Sequence, residues 1–307
     1  MPPRRGAFFF EPTADANARK RPARWTPPNG RASDGVYATP MRILLTNDDG
    51  IRAPGIAAMH RALGGLVAPG PRMTEILTIA PLTVQSATGH GVTFKEPLMV
   101  REEPVREGVT GTAVDGRPAD CVKLAISSLW PERFGKGSRP DLLISGMNAG
   151  ANCGINVIYS GTVAAAIESA FLGVPAIAVS LHIGPGNPRF DVAARHAATV
   201  ISKLIAGGLP APHECLSINI PVTQEDGPMP PVKVCPMNTH GLVDAYERRV
   251  SPGGEVYYWA SGHGLDFHQT EPGSDVDALV ARNITVTPLM YDLTHHRTLE
   301  MWSARLR

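Results

Sequence analysis

Cysteine is scarce and scattered in this chain. There are 4 in 307 residues, Cys121, Cys153, Cys215 and Cys235, and no two form a Cys-x-x-Cys pair. That spacing argues against a zinc ribbon or a disulfide scaffold and fits a reducing cytoplasm. An excess of charge of one sign is lacking too. The net charge is +1, so no broad electrostatic surface for nucleic acid is indicated, and any polyanion must be handled by a local site. Long apolar runs are missing. The longest stretch, Val163 to Leu181, is interrupted by Glu168, Ser169, Gly173 and Pro175, as in helix, loop and strand rather than a membrane span. Arg4-Arg5 with Phe8-Phe9-Phe10 has the outline of an export signal, but Glu11 ends the apolar run too early for one. There is no Gly-x-x-x-x-Gly-Lys-Ser/Thr loop and no Gly-x-Gly-x-x-Gly after the first predicted strand. P-loop nucleotide hydrolysis and dinucleotide binding both lose ground.

What is present is a chain with 43% hydrophobic residues, enough to bury a sizeable core in one large domain or two modest ones. Residues 1–40 read as a basic, Pro- and Ala-rich tail without periodicity, with a cluster at Arg19, Lys20, Arg21 and Arg24. From 41 onward strands and helices alternate. Strands are predicted at Arg42–Thr46, Glu75–Ala80, Asp141–Ser145, Ala176–Ser180 and Leu216–Ile220. Helices are predicted at Pro54–Leu66, Asp120–Leu129, Thr162–Leu172 and Phe190–Ala206. Short apolar runs such as Ile43-Leu44-Leu45 and Leu142-Leu143-Ile144 suit strands buried on both faces. The alternation implies an α/β fold, a Rossmann-like, doubly wound and mostly parallel sheet with right-handed crossovers over about 41–225. Beyond 226 the character changes. Val256–Trp259, Ser261–Gly264 and Asp266–Gln269 read as a hairpin or arm, and Asn283–Pro288 as one more strand. An aromatic arm without a core of its own suits packing on another subunit.

Four motifs carry chemistry. Asn47-Asp48-Asp49-Gly50 follows the first strand, and in open α/β sheets ligands bind beyond the carboxyl ends of strands. Adjacent carboxylates repel unless a cation lies between them, and hard oxygens suit magnesium, manganese or calcium. Taken alone the motif is equally readable as a turn. Gln85-Ser86-Ala87-Thr88-Gly89-His90 follows the second strand with small hydroxylic residues and glycine; His90 there suits a hydrogen-bonded surface histidine better than a ligand. Ser145-Gly146-Met147-Asn148-Ala149-Gly150-Ala151-Asn152 follows a third buried strand. Its Asn148 offers a neutral oxygen to a hard cation, whereas the thiol of Cys153 suits packing. Tyr159-Ser160-Gly161-Thr162 opens a helix, where hydroxyls cap and exposed N–H groups accept an anion. Three strand ends and one helix start thus supply a metal-assisted phosphate site.

In these pieces the chain resembles the SurE survival-protein family, also called 5′-nucleotidase or acid phosphatase SurE. The pieces are Leu-Leu-Thr-Asn-Asp-Asp-Gly at 44–50, Gln-Ser at 85–86 with Gly-His at 89–90, Ser-Gly-Met-Asn-Ala-Gly-Ala-Asn at 145–152, and Tyr-Ser-Gly-Thr-Val-Ala-Ala-Ala-Ile-Glu at 159–168. Shorter ones fall at 178–181, 219–221, 274–279 and 286–289. The resemblance implies divalent-metal-dependent hydrolysis of nucleoside monophosphates, with 3′-nucleotidase activity and short polyphosphate as further substrates in some members. It implies one Mg2+ or Mn2+ per subunit, held by Asp48, Asp49, Ser86 and Asn148. It implies a phosphate loop at Ser160, Gly161 and Thr162, with Asn152 beside Asp48 and Asp49 in the catalytic set. It also implies a homodimer or homotetramer assembled through C-terminal arms, with residues 226–307 completing the domain and the interface. No nucleic acid or membrane partner is expected, and the setting is cytoplasmic. The chain departs from the usual pattern at Leu82, Ala87, Arg117 and Asn156; of these, Leu82 and Arg117 are expected at the rim of the pocket. Two other readings stay open: a non-catalytic nucleotide or metabolite sensor on the same scaffold, and a nucleotide-sugar transferase, for which an Asp-x-Asp spacing is expected instead of the adjacent pair.

Overall fold

In the computed structural model, residues 40–66, 74–261 and 265–307 are described. The predicted tail lies outside them but for Pro40, as do Gly262-His263-Gly264 of the predicted arm. Residues 36–307 form one contact unit.

The first strand, β1 (Met41–Thr46), is followed by α1 (Pro54–Gly64) and β2 (Thr74–Pro81). An edge hairpin comes next, β3 (Val100–Arg106) and β4 (Val109–Val114). Then α2 (Pro118–Leu124) runs through a π turn into α3 (Trp130–Phe134). β5 (Leu142–Ala149), α4 (Gly161–Phe171), β6 (Ala176–Leu181), α5 (Phe190–Ala206) and β7 (Cys215–Ile220) complete the alternating part. Beyond it lie β8 (Val232–Val234), the hairpin β9 (Tyr246–Val250) and β10 (Val256–Ala260), α6 (Asp275–Val280), β11 (Ile284–Leu289) and α7 (Leu299–Arg305).

Nine strands make one sheet in the order β3-β4-β2-β1-β5-β6-β7-β11-β8. Its centre is parallel; β3 runs antiparallel to β4, and β11 antiparallel to β7. Ile43, Leu45, Ile144, Val179 and Ile218 share one core with residues of α1 and α5. Leu44, Leu143 and Ala178 join Val122, Trp130, Val163 and Ala166 on the other face. Both faces of the central strands are therefore dry, which is why their sequences read as unbroken apolar runs. Among the described residues no helix is long and apolar enough to cross a membrane, and all four cysteines are free and buried.

Three expectations are corrected. The helix predicted at Asp120–Leu129 starts at Pro118 and continues to Phe134, because the π turn at Ala125–Leu129 keeps the backbone helical. β3 and β4 had no counterpart in the sequence reading; β3 is Val-Arg-Glu-Glu-Pro-Val-Arg, and its charges and Pro104 are what an edge strand carries. The aromatic strand β10 pairs with β9, which precedes it, through a turn at Ser251–Gly254, and not with the segment that follows.

The central position of β1 sets a stability test. Leu44 is fully buried between α2 and α4, so Leu44→Ala is expected to lower the unfolding free energy by about 3 kcal/mol. Urea titration followed by circular dichroism measures it; a loss under about 1 kcal/mol would show that the core lies elsewhere.

Candidate active site at the switch point

From β1 the chain steps outward to β2 on one side and returns to β5 on the other. The order of strands reverses there, and such a reversal leaves a crevice beyond the carboxyl ends of the two strands. Asp48 and Asp49 lie just past β1, and Asn148 lies at the end of β5.

The two carboxylates are held in different ways. Asp48 is 5% exposed. Its Oδ1 accepts the Thr162 hydroxyl at 2.5 Å and its Oδ2 accepts the Thr162 N–H at 3.0 Å. The carboxylate thus sits on the first turn of α4, where helix N–H groups lack partners of their own and favour negative charge. Gly161 is required for that approach: a Cβ there would lie 2.9 Å from the Asp48 Cβ. Burial pushes the Asp48 carboxyl up to about 6, against the Thr162 hydroxyl, and the neighbouring Asp49 charge adds to the rise. Asp49 is half-buried and accepts the Ala149 N–H at 2.8 Å. Its carboxyl is also raised, again by burial.

The remaining predicted residues fall around this pair. The loop carrying Ser86 is fastened to it, since the Gln85 N–H donates to the Asp48 carbonyl at 2.8 Å; Ser86 itself is exposed. The same loop is pinned further along. Gly89 N–H donates to the Tyr159 carbonyl at 3.1 Å, and His90 pairs with buried Glu168 of α4 at 2.7 Å. Asn148 donates its amide nitrogen to the Gly150 carbonyl at 2.8 Å, which turns its oxygen away from that bond and leaves it as an acceptor. Ser160 caps α4 by accepting the Val163 N–H at 3.1 Å, and its own proton stays available to donate. Thr162 spends both donors on Asp48 and the Val163 N–H goes to Ser160, which leaves the Ser160 hydroxyl proton and the Gly161 N–H outside these bonds in the first turn. Cys153 packs with Val276 and Leu279, and burial drives its thiol well above the usual range. It is not a ligand.

Asn152 is held more firmly than its sequence suggested. Its amide nitrogen donates to Ser180 Oγ at 2.9 Å, and its backbone N–H donates to Asn219 Oδ1 at 2.8 Å. Asn219 returns a bond from Nδ2 to the Asn152 carbonyl at 3.1 Å. Ser180 and Asn219 were missed as site residues. The available signal was a polar side chain inside two wholly buried strand ends, Ala-Val-Ser-Leu and Ser-Ile-Asn-Ile. Of the two expected rim residues, Leu82 lines a cavity beside Asp49. Arg117 does not; it caps α2 and lies against Gly91.

A hard divalent cation fits these residues. Asp48, Asp49, Ser86 and Asn148 offer oxygens, and burial makes the two carboxyls resist ionisation, a cost that a nearby cation would offset. Among the described residues no group of three or more His, Cys, Asp or Glu gathers as a metal cluster, so the set has two carboxylates and neutral donors.

Comparison with known proteins places this arrangement. The family described as Survival protein SurE matches residues 43–243. A protein named 5′-nucleotidase SurE from Rhodopirellula baltica is 43% identical over 274 residues, covering 87% of this chain and 100% of that protein. Another of that name, from Syntrophobacter fumaroxidans, is 39% identical over 86% of this chain and 100% of its own length. The crystal structure of the SurE protein from Aquifex aeolicus superposes with a TM-score of 0.71 at 31% identity, covering 87% of this chain and all of that one. The chain belongs to the SurE survival-protein family.

Proposed function

We propose that the chain is a divalent-metal-dependent phosphatase that hydrolyses nucleoside 5′-monophosphates to nucleoside and phosphate. The observation that carries this is the pair at the switch point, buried Asp48 seated on the start of α4 with half-buried Asp49 beside it. The names of the relatives support the substrate class. Asp48, Asp49, Ser86 and Asn148 would hold one Mg2+ or Mn2+ per subunit. Bound there, such a cation supplies neutralisation of phosphate charge and acidification of water.

The chain's own groups do the rest. The Ser160 hydroxyl and the Gly161 N–H hold phosphate oxygens at the helix start. Thr162 orients Asp48 through both of its donors. Asn152, fixed by Ser180 and Asn219, supplies a rigid neutral amide at the edge of the site. Water adds to phosphorus, the ester P–O bond breaks, and the departing nucleoside oxygen takes a proton. The scaffold's exposed hairpin, with Tyr258 and Trp259 on β10, supports assembly as a homodimer or homotetramer.

Two outcomes are expected. Purified protein releases phosphate from nucleoside 5′-monophosphates with Mn2+ or Mg2+, and EDTA stops it; 3′-monophosphates and short polyphosphate complete the panel. Asp49→Asn lowers kcat/KM and metal affinity together, the rate by more than about 100-fold, beyond what loss of an outer partner of a ligand costs. Nucleotide binding without release under any metal would make the chain a sensor instead.

A third outcome concerns stability. Burying Asp48 as an anion disfavours the metal-free fold, since a carboxyl held near 6 resists ionisation at pH 8. Asp48→Asn keeps one acceptor oxygen for the Thr162 N–H, reverses the other bond so that its amide donates to Thr162 Oγ1, and removes the charge. It is expected to stabilise the metal-free protein at pH 8 by up to about 3 kcal/mol, read as a higher melting temperature in EDTA, while activity is lost. A lower melting temperature would show that the charge stabilises the fold unaided.

A further inference from the structure

The Ser86 side chain is exposed and makes no hydrogen bond among the described residues, so its place is set by the backbone of its loop. That backbone is strained. Ala87 lies at φ 55°, in the left-handed region. An L side chain crowds the following carbonyl there, which disfavours the conformation by roughly five- to thirtyfold. Gly89 lies at φ 54°, where glycine carries no such cost. A strained residue keeps its conformation only where the surrounding structure holds it.

The holding contacts converge on α4 and the turn before it. The Gln85 N–H donates to the Asp48 carbonyl at 2.8 Å, and the Gly89 N–H to the Tyr159 carbonyl at 3.1 Å. Between them the Thr88 hydroxyl closes the turn on the Gln85 carbonyl at 3.0 Å. The side-chain anchor comes next. His90 Nε2 lies 2.7 Å from Glu168 Oε2, and Lys123 Nζ of α2 donates to Glu168 Oε1 at 3.1 Å. Glu168 is buried. Burial raises its carboxyl, yet the bonds to His90 and Lys123 outweigh that and hold it below its ordinary value. Each carboxylate oxygen is thus engaged, one by the loop and one by α2.

Thr162 and Glu168 stand on one helix, about 9 Å apart along its axis. Asp48 is seated on the first and the Ser86 loop on the second. The distance between Asp48 and Ser86 is therefore gauged by a single rigid element. An exposed ion pair would carry little; here the carboxylate is buried and shared, and the turn at Ala87 gives it something to hold.

We propose that Glu168 is a positioning residue: through His90, and braced by Lys123, it holds the Ser86 loop in a left-handed turn that Ala87 disfavours. Its bearing on a metal rests on the ligand set of the proposed function; its bearing on the loop does not.

The test uses the full chain and His90→Ala, with His90→Gln as the variant that keeps a donor for Glu168. Amide hydrogen exchange is measured in the metal-free protein, and the Kd of Mn2+ by calorimetry. His90→Ala is expected to speed exchange at 85–91 and to raise the Kd by about tenfold, as for loss of an outer partner of a ligand. His90→Gln is expected to retain most of both. Ala87→Gly in the His90→Ala background is expected to recover about fivefold in exchange, since glycine accepts the turn unaided. Unmoved exchange at 85–91 in His90→Ala overturns the proposal whatever the Kd. Faster exchange in β1 and β5 as well would make Glu168 a general support of the fold and overturn the positioning role, as would no recovery by Ala87→Gly. Faster exchange at 85–91 with an unmoved Kd keeps the proposal and removes Ser86 from the ligand set. If the wild type binds no Mn2+, the metal reading fails, and exchange alone decides the role of Glu168.

Discussion

The structure turns on one anion that is hard to bury. Asp48 sits at the end of the central strand, almost closed from solvent, with a second carboxylate beside it. Ionisation there is favoured chiefly by Thr162 at the start of α4. The bond joins residues 114 apart in the chain, so the sheet must bring β1 and β5 side by side before the contact exists. Several choices nearby follow from it. Residue 161 has to be glycine because a side chain would meet Asp48. Residue 162 has to offer two donors on one side. The loop after β2 has to pass close enough for Gln85 to bond the Asp48 carbonyl, which carries Ser86 toward the same place. Under the proposed function, the stability forgone at Asp48 is the counterpart of a cation bound there.

The parts of the fold that were legible are those where burial leaves a simple mark. Ile43–Leu45 and Leu142–Ile144 are apolar without alternation because both of their faces are covered. The helix Phe190–Ala206 was read to the residue, since Val192, Ala193, His196, Val200 and Leu204 recur at helical spacing along its length. β3 was not legible, because an edge strand is under the opposite pressure and carries charges and proline. β9 was missed for a similar reason: Tyr-Glu-Arg-Arg-Val is exposed throughout, and only its pairing with β10 makes it a strand.

At the site the same division appears. Asp48, Asp49 and Asn148 stand where apolar strands meet glycine-bearing loops, and that break is visible in one dimension. That Thr162 serves Asp48 was not visible. A helix start announces an appetite for an anion without saying which anion sits there. Ser180 and Asn219 were hidden because their part depends on strand register, which sets them side by side on β6 and β7, and on the loop after β5 that lays Asn152 against both.

Asp48 and Asp49 leave β1 in a bend and are held on different partners, Asp48 on Thr162 of α4 and Asp49 on the Ala149 N–H, and this divides the site. Asp48 belongs to the α4 side, with a helix start, a capped hydroxyl and little room. Asp49 belongs to the α1 side, with a cavity whose walls are loop residues and one aromatic ring. The α4 side, assigned to phosphate in the proposed function, is set by strand ends and a helix, elements that cannot shift without unpacking the core. The α1 side is lined by residues such as Val84, exposed and outside that core. A fold built this way can hold one chemistry constant while its selectivity drifts, since changes at 82–84 need not disturb Asp48 or Thr162. The departure at Leu82 lies in the second half, and the carboxylate pair with its helix start lies unaltered in the first.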